Sequence, residues 1–177
     1  MILQRFVPVY IVVCLVFSIF LSCQQDNKAS ITTENSDIYD ETADAKQDIR
    51  LAVEKAADEG KHVLLMFGGN WCIWCHRLHR LFNENKTIHD FLQQKYILVM
   101  IDVGKRDKYL DLNEQYGNPY QHGFPVLVVL DNQGNQLTTQ ETGSLEKPTQ
   151  EGVEKGHDPE KVLGFLQQWA PLVCADG

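Results

Sequence analysis

Hydrophobic positions follow several rhythms along the chain, and each predicts a different kind of element. From Phe6 to Leu21 the run is almost unbroken, led by one cation, Arg5. The stretch after it, "QQDNKASITTENSD", has no apolar rhythm and too little apolar surface to build a core. From residue 45 the rhythm becomes helical. Ala45, Ile49, Ala52, Val53 and Ala56 recur every three or four positions, and Gly60 is placed to end the helix. "HVLLMFG" (62–68) and "YILVMIDV" (96–103) are short continuous apolar runs, predicting strands buried on both faces. Between them, Cys75, Leu78 and Phe82 mark one face of a helix beginning near Cys72, with His76, His79 and Arg80 on other faces. "KTIHDFLQQ" predicts a short second helix with a cap at Thr87 and Asp90. "DKYLDLNEQYG" (107–117) predicts a helix stopped by glycine, and "PVLVVLD" (125–131), "DNQGN" and "QLTTQE" (136–141) predict a hairpin. Asp158 caps a last helix with Pro159 in its first position; Val162, Leu163, Phe165, Leu166 and Trp169 line one side.

Strands that alternate with helices predict a parallel core sheet, and the late hairpin adds an antiparallel edge. The fold class is α/β, a three-layer sandwich. Residues 1–22 have the layout of a secretory signal peptide, or of an uncleaved anchor near the lower limit for a spanning helix, about 17 residues. Ser22-Cys23 resembles a bacterial lipobox, with Phe20 and Leu21 departing from the usual pattern; the resemblance implies lipidation at Cys23. Residues 23–42 read as a flexible linker, 43–172 as the folded domain and 173–177 as a tail. The expected location is periplasmic or otherwise extracytoplasmic, tethered to the membrane by the N-terminal anchor.

Composition changes this picture little. Of 177 residues, 44% are hydrophobic and 10% aromatic, enough to pack a core. The net charge of −8 repels phosphate backbones and no basic run is present, so nucleic acid is not an expected partner.

The candidate chemistry sits in "GGNWCIWCHRLH" (68–79). Cys72 lies where a strand gives way to a helix, and a helix N-terminus stabilises a thiolate, lowering its pKa from about 8.5 to roughly 3.5–7.5. Cys75, one turn on and on the apolar face, is suited to attack a mixed disulfide formed at Cys72. His76 is a candidate modulator of the thiol. Two other chemistries fit the letters. Cys72-Ile73-Trp74-Cys75-His76 satisfies the c-type haem attachment pattern, although small cytochromes lack such flanking strands. Zinc would draw on Cys72, Cys75, His76 and His79, but four ligands in one helical stretch do not readily converge. Cys14 lies in the apolar leader, and Cys174 is the odd thiol of the exported part.

"VLLMFGGNWCIWC", "LNEQYG" and "GFPVLVVLD" together resemble the thioredoxin-like superfamily over roughly residues 43–172. The resemblance implies a thioredoxin-like three-layer α/β/α sandwich with a mixed central sheet. It makes Cys72 the nucleophile and Cys75 the resolving thiol, with no cofactor and no metal. Trp71 matches the tryptophan before the first cysteine, Phe124-Pro125 falls at the cis-proline position, and Trp71, Trp74, Phe124 and Pro125 become candidate substrate contacts. Exported disulfide reductases and isomerases, including the DsbH-like group, are the most similar in kind. The implied partners are disulfide-containing exported proteins and a membrane or periplasmic thiol electron donor. A thioredoxin-like binding module without redox turnover is the rival. Three departures stand out: Met66 where thioredoxins carry a buried carboxylate, Ile73-Trp74 in place of Gly-Pro, and a longer "GNPYQHGFP" loop.

Overall fold

A computed structural model describes residues 37–152 and 154–172. The leader at 1–22, Cys23, residues 24–36 of the expected linker, and the tail with Cys174 lie outside the described residues.

Helix α1 (Ala45–Glu59) starts at Asp44, whose carboxylate accepts from the Lys46 and Gln47 N–H groups, and ends at Gly60 with φ 63. That left-handed turn suits a residue without Cβ. β1 (His62–Gly68) follows, then α2 (Ile73–Glu84), α3 (Lys86–Lys95) and β2 (Tyr96–Asp102). Asn85 closes α2 and caps α3, its Oδ1 accepting from Ile88 N at 3.1 Å. The cap is therefore neither Thr87 nor Asp90. After β2 come α4 (Leu110–Gln115), a 3-10 turn (Pro119–His122), β3 (Val126–Leu130), β4 (Gln136–Glu141), a second 3-10 turn (Gly143–Leu145) and α5 (Pro159–Gln168).

The strand order is β2-β1-β3-β4. β1 and β2 are parallel, but β3 runs antiparallel to both β1 and β4. The sheet is mixed, as the resemblance implied. The antiparallel component is central, however, and not confined to the expected edge. The α2–α3 crossover returns the chain parallel to β1, whereas α4 and the 3-10 turn deliver β3 from the opposite end.

Side chains of β1 alternate between two cores. Leu64 and Met66 pack with Cys75, Leu78, Phe82, Leu127, Val129 and Phe165 under α2, α3 and α5. Val63, Leu65 and Phe67 pack with Ala52, Ala56, Ile101, Val126 and Val128 under α1 and α4. β1 from Val63 to Gly68 and all of β3 are buried, which is why both read as continuous apolar runs.

Two further expectations change. The 107–117 helix shrinks to Leu110–Gln115, because Gly104 (φ 58), Arg106 (φ 75) and Tyr109 (φ 52) hold a left-handed loop ahead of it. The C-terminal end of the 23–42 linker is docked, not free. Tyr39 is only 2% exposed, and its N–H donates to Asn70 Oδ1 at 2.9 Å.

Candidate active site

β1 ends at Gly68, which pairs with Asp102 at the end of β2. Gly69, Asn70 and Trp71 then carry the chain over to Cys72, which caps α2 in an extended conformation (φ −91, ψ 100). The Cys75 N–H donates to Cys72 O at 3.0 Å and points at Cys72 Sγ at 3.1 Å. A sulfur in that place receives backbone N–H and the positive end of a 12-residue helix, the environment that favours a thiolate.

Cys72 and Cys75 are joined in a disulfide with their Cα atoms 5.2 Å apart. Cys75 is 0% exposed and Cys72 6%. Both are buried in the disulfide, Cys75 the more deeply. Cys72 is less open than its place at a helix start predicted, since in the disulfide its sulfur is drawn against its partner in the core.

Trp71 is 52% exposed, and its indole N–H donates to Gly104 O at 2.6 Å. Its ring meets Phe124 edge-on at 5.7 Å, and Phe124 in turn meets Tyr120 at 5.4 Å. The Arg106 guanidinium lies 5.3 Å above the Phe124 ring. The Phe124–Pro125 peptide is cis, and the buried Pro125 carbonyl accepts from Thr142 Oγ1 at 2.6 Å. Trp71 and the Phe124-Pro125 loop are thereby brought to one place beside the cysteines. With Ile73 (55% exposed) they form an apolar rim.

Trp74 turns to the other side of α2. Its ring carries the Arg77 guanidinium at 4.6 Å and meets His157 edge-on at 5.6 Å. His157 is 3% exposed with both ring nitrogens unpartnered; burial first, then the Arg77 charge, lowers its pKa to about 4. His76 Nε2 lies 2.8 Å from Asn70 O, so it ties the helix to the preceding loop. His79 is pushed down by burial and by His76. Among the described residues, no group of three or more His, Cys, Asp or Glu side chains is placed to hold a metal.

Three residues at the site were not singled out from the sequence: Asn70, Tyr39 and Asp102. Asn70 clamps the segment before α1: Oδ1 accepts from Ile38 N (3.0 Å) and Tyr39 N (2.9 Å), and Nδ2 donates to Tyr39 O (3.0 Å) and Glu41 Oε1 (3.2 Å). Tyr39, so held, reaches the core beside Cys75. The available signal was slight, an "IYD" carrying two apolar residues inside a polar stretch. Asp102, 6% exposed, is held by Lys108 Nζ at 2.5 Å, and that bond raises the Lys108 pKa.

A mixed sheet carrying a Cys-x-x-Cys disulfide at a helix start, with a cis-proline loop beside it, defines a thiol–disulfide redox protein. Residues 44–132 match the family described as thioredoxin-like, and the chain belongs to that family. Among solved structures it is similar to a disulphide isomerase from Xylella fastidiosa Temecula1, at 30% identity and a TM-score of 0.63, covering 74% of this chain and 95% of that one. It is also similar to the oxidised C-terminal domain of Neisseria meningitidis DsbD (19% identity, TM-score 0.49, 72% and 97% covered). A third is a DsbH oxidoreductase (22%, 0.44, 66% and 77%). No curated protein matches.

Proposed function

We propose that this protein reduces or isomerises disulfides of exported proteins. The observation that carries the reading is the Cys72–Cys75 pair itself, with one sulfur capping α2 and the other sealed in the core. In the dithiol form, Cys72 thiolate attacks a client disulfide, forming a Cys72–client bond and releasing the other client sulfur as thiolate. Cys75 then attacks Cys72 Sγ, and the client leaves reduced by two electrons while the protein becomes the disulfide. A membrane or periplasmic dithiol donor returns the pair to the reduced state. The apolar rim of Trp71, Ile73 and Phe124, with the Pro125 loop, receives the client's extended segment.

The apolar leader supports export, and Ser22-Cys23 supports a lipid tether at Cys23. The isomerase reading draws on the Xylella fastidiosa protein named for that activity. The test is reduction of insulin disulfides by the purified domain, compared with Cys72→Ser. The variant is expected to lose at least a hundredfold in rate. Equal rates would eliminate the enzyme reading in favour of a binding module.

A further inference from the structure

The phenolic oxygen of Tyr39 is buried with no hydrogen-bond partner. A buried hydroxyl in that condition costs free energy, and native proteins rarely tolerate one without a reason. Its neighbour supplies the reason. A Cβ built on Gly68 would fall within 2.5 Å of both the Tyr39 hydroxyl and Cys75 Sγ. The oxygen and the sulfur are therefore no further apart than twice that distance, facing each other over a residue that has no side chain. The placement is built in: Asn70 fixes the Tyr39 backbone from both sides, accepting its N–H at 2.9 Å and donating to its carbonyl at 3.0 Å. Of the strand residues packed in the same core, Leu64, Met66, Leu127 and Val129 cannot donate a hydrogen bond, and the Tyr96 hydroxyl already donates to Leu166 O at 2.7 Å.

In the disulfide, Cys75 Sγ is a weak acceptor; as a thiolate it is a strong one. We propose that the Tyr39 hydroxyl is a catalytic hydrogen-bond donor to Cys75 Sγ, engaged when the disulfide opens and stabilising the thiolate that resolves the mixed disulfide. This rests on the thiol–disulfide reading above. In the resolving step Cys75 gives up its proton and its Sγ bonds to Cys72 Sγ. The Cys72–client bond breaks, and the client sulfur leaves as a thiolate that takes up a proton. Tyr39 keeps its own proton throughout. Burial, with the Asp102 carboxylate adding to it, holds the phenol well above its ordinary range. The titratable and charged groups around the pair are Asp102 with its Lys108 clamp, Cys72, His76 turned to Asn70 O, and Glu41 on the Asn70 amide.

The experiment titrates Cys75 by ultraviolet thiolate absorbance in Cys72→Ala, with and without Tyr39→Phe. The phenylalanine is expected to lower the Cys75 ionisation constant about tenfold, the scale of a hydrogen bond to a charged group. With both cysteines present, and at a pH high enough to ionise Cys75 in the dithiol, Tyr39→Phe is expected to make the pair more reducing by about tenfold in its equilibrium with glutathione, about 30 mV. The oxidised variant should be at least as stable as the parent, because the hydroxyl has no partner to lose there. Superimposable titrations overturn the proposal, as does an unchanged equilibrium. Should Tyr39→Phe fail to fold, the Tyr39 hydroxyl proton in the unmutated protein is followed by NMR; no change in its shift or exchange on reduction overturns the proposal too. Insulin assays keep the two readings apart. Differing titrations without insulin turnover sink the enzyme reading and leave the contact standing, whereas turnover with superimposable titrations sinks the contact alone.

Discussion

Asn70→Ala is expected to release the segment before α1 from the active-site loop. The side chain makes four hydrogen bonds to residues 38–41, three of them to partly buried backbone at 2.9–3.0 Å and one to the exposed Glu41 carboxylate at 3.2 Å. An intramolecular hydrogen bond is worth roughly 0.5–1.5 kcal/mol net, and a donor left buried costs more. The Glu41 contact is solvated and adds little. Three backbone bonds, with the Ile38 and Tyr39 N–H groups left without acceptors, give a loss of about 2–4 kcal/mol. Against a total stability of about 5–15 kcal/mol that is a large share. The loss has a ceiling, because a detached segment frees the rest of the domain from any further penalty.

Two measurements read this together. Urea unfolding of the oxidised protein should show a lower midpoint, and hydrogen exchange should show the Ile38 and Tyr39 amides unprotected while those of β1 remain slow. Asn70→Asp retains Oδ1 for the two N–H groups but loses both amide donations, so its amides should stay protected while stability falls. An Asn70→Ala protein within about 0.5 kcal/mol of the parent, with those two amides still slow, would refute the clamp as the element that seats Tyr39.

Gly68→Ala places a methyl group against the Tyr39 hydroxyl and 2.5 Å from Cys75 Sγ. Overpacking of this kind costs about 1–3 kcal/mol, to be read by urea unfolding, and part of it should be recovered when Tyr39→Phe is added. A neutral result would mean that the two groups do not converge on that residue. His157→Phe tests the other flank of α2. The His157 pKa is about 4 when folded, against 6.5 as the ordinary value. At pH above 6.5 it is neutral in both states and contributes nothing to pH dependence. Between pH 6.5 and 4 the unfolded chain binds a proton that the folded one refuses, so stability falls with pH by up to about 3 kcal/mol. The phenylalanine variant, which retains the edge-on contact with Trp74, should lack that part of the decline. Parallel stability–pH curves for variant and parent would count against a neutral buried His157.

What the sequence revealed and what it concealed divides along a physical line. β1 and β3 were legible because strands buried on both faces need apolar side chains at every position, and such runs are visible locally. The Cys-x-x-Cys motif was legible for a similar reason: the strand before it, the helix after it and the cap between them all lie within residues 62–84. Strand direction was not local. That β3 runs against β1 depends on how the chain returns from β2, and an apolar run carries no record of its pairing partner. The 104–109 loop hid for another reason. Arg106 and Tyr109 adopt left-handed backbone that their side chains do not favour. Side-chain bonds accompany this conformation: Lys108 Nζ donates to Asp102 Oδ2 at 2.5 Å and, from far along the chain, to Glu41 O at 2.8 Å.

The same distinction governs the site. Met66 appeared in the sequence as a deficit, an apolar residue where thioredoxins place a carboxylate, because inspection of β1 alone offers nothing polar near Cys75. The polar group comes instead from a stretch that composition marks as linker, delivered through Asn70, 31 residues further along the chain. This exchange alters the chemistry available to the resolving thiol. A buried carboxylate can accept the thiol's proton, but it carries the cost of burying a charge and titrates itself. A phenol held above its ordinary range by burial remains a neutral donor at working pH; it can favour the thiolate but cannot take its proton. On this arrangement the proton passes to the departing client sulfur or to water. No buried acid on β1 contributes to the pH response of the pair; the buried carboxylate that acts on Tyr39 is Asp102, at the end of β2.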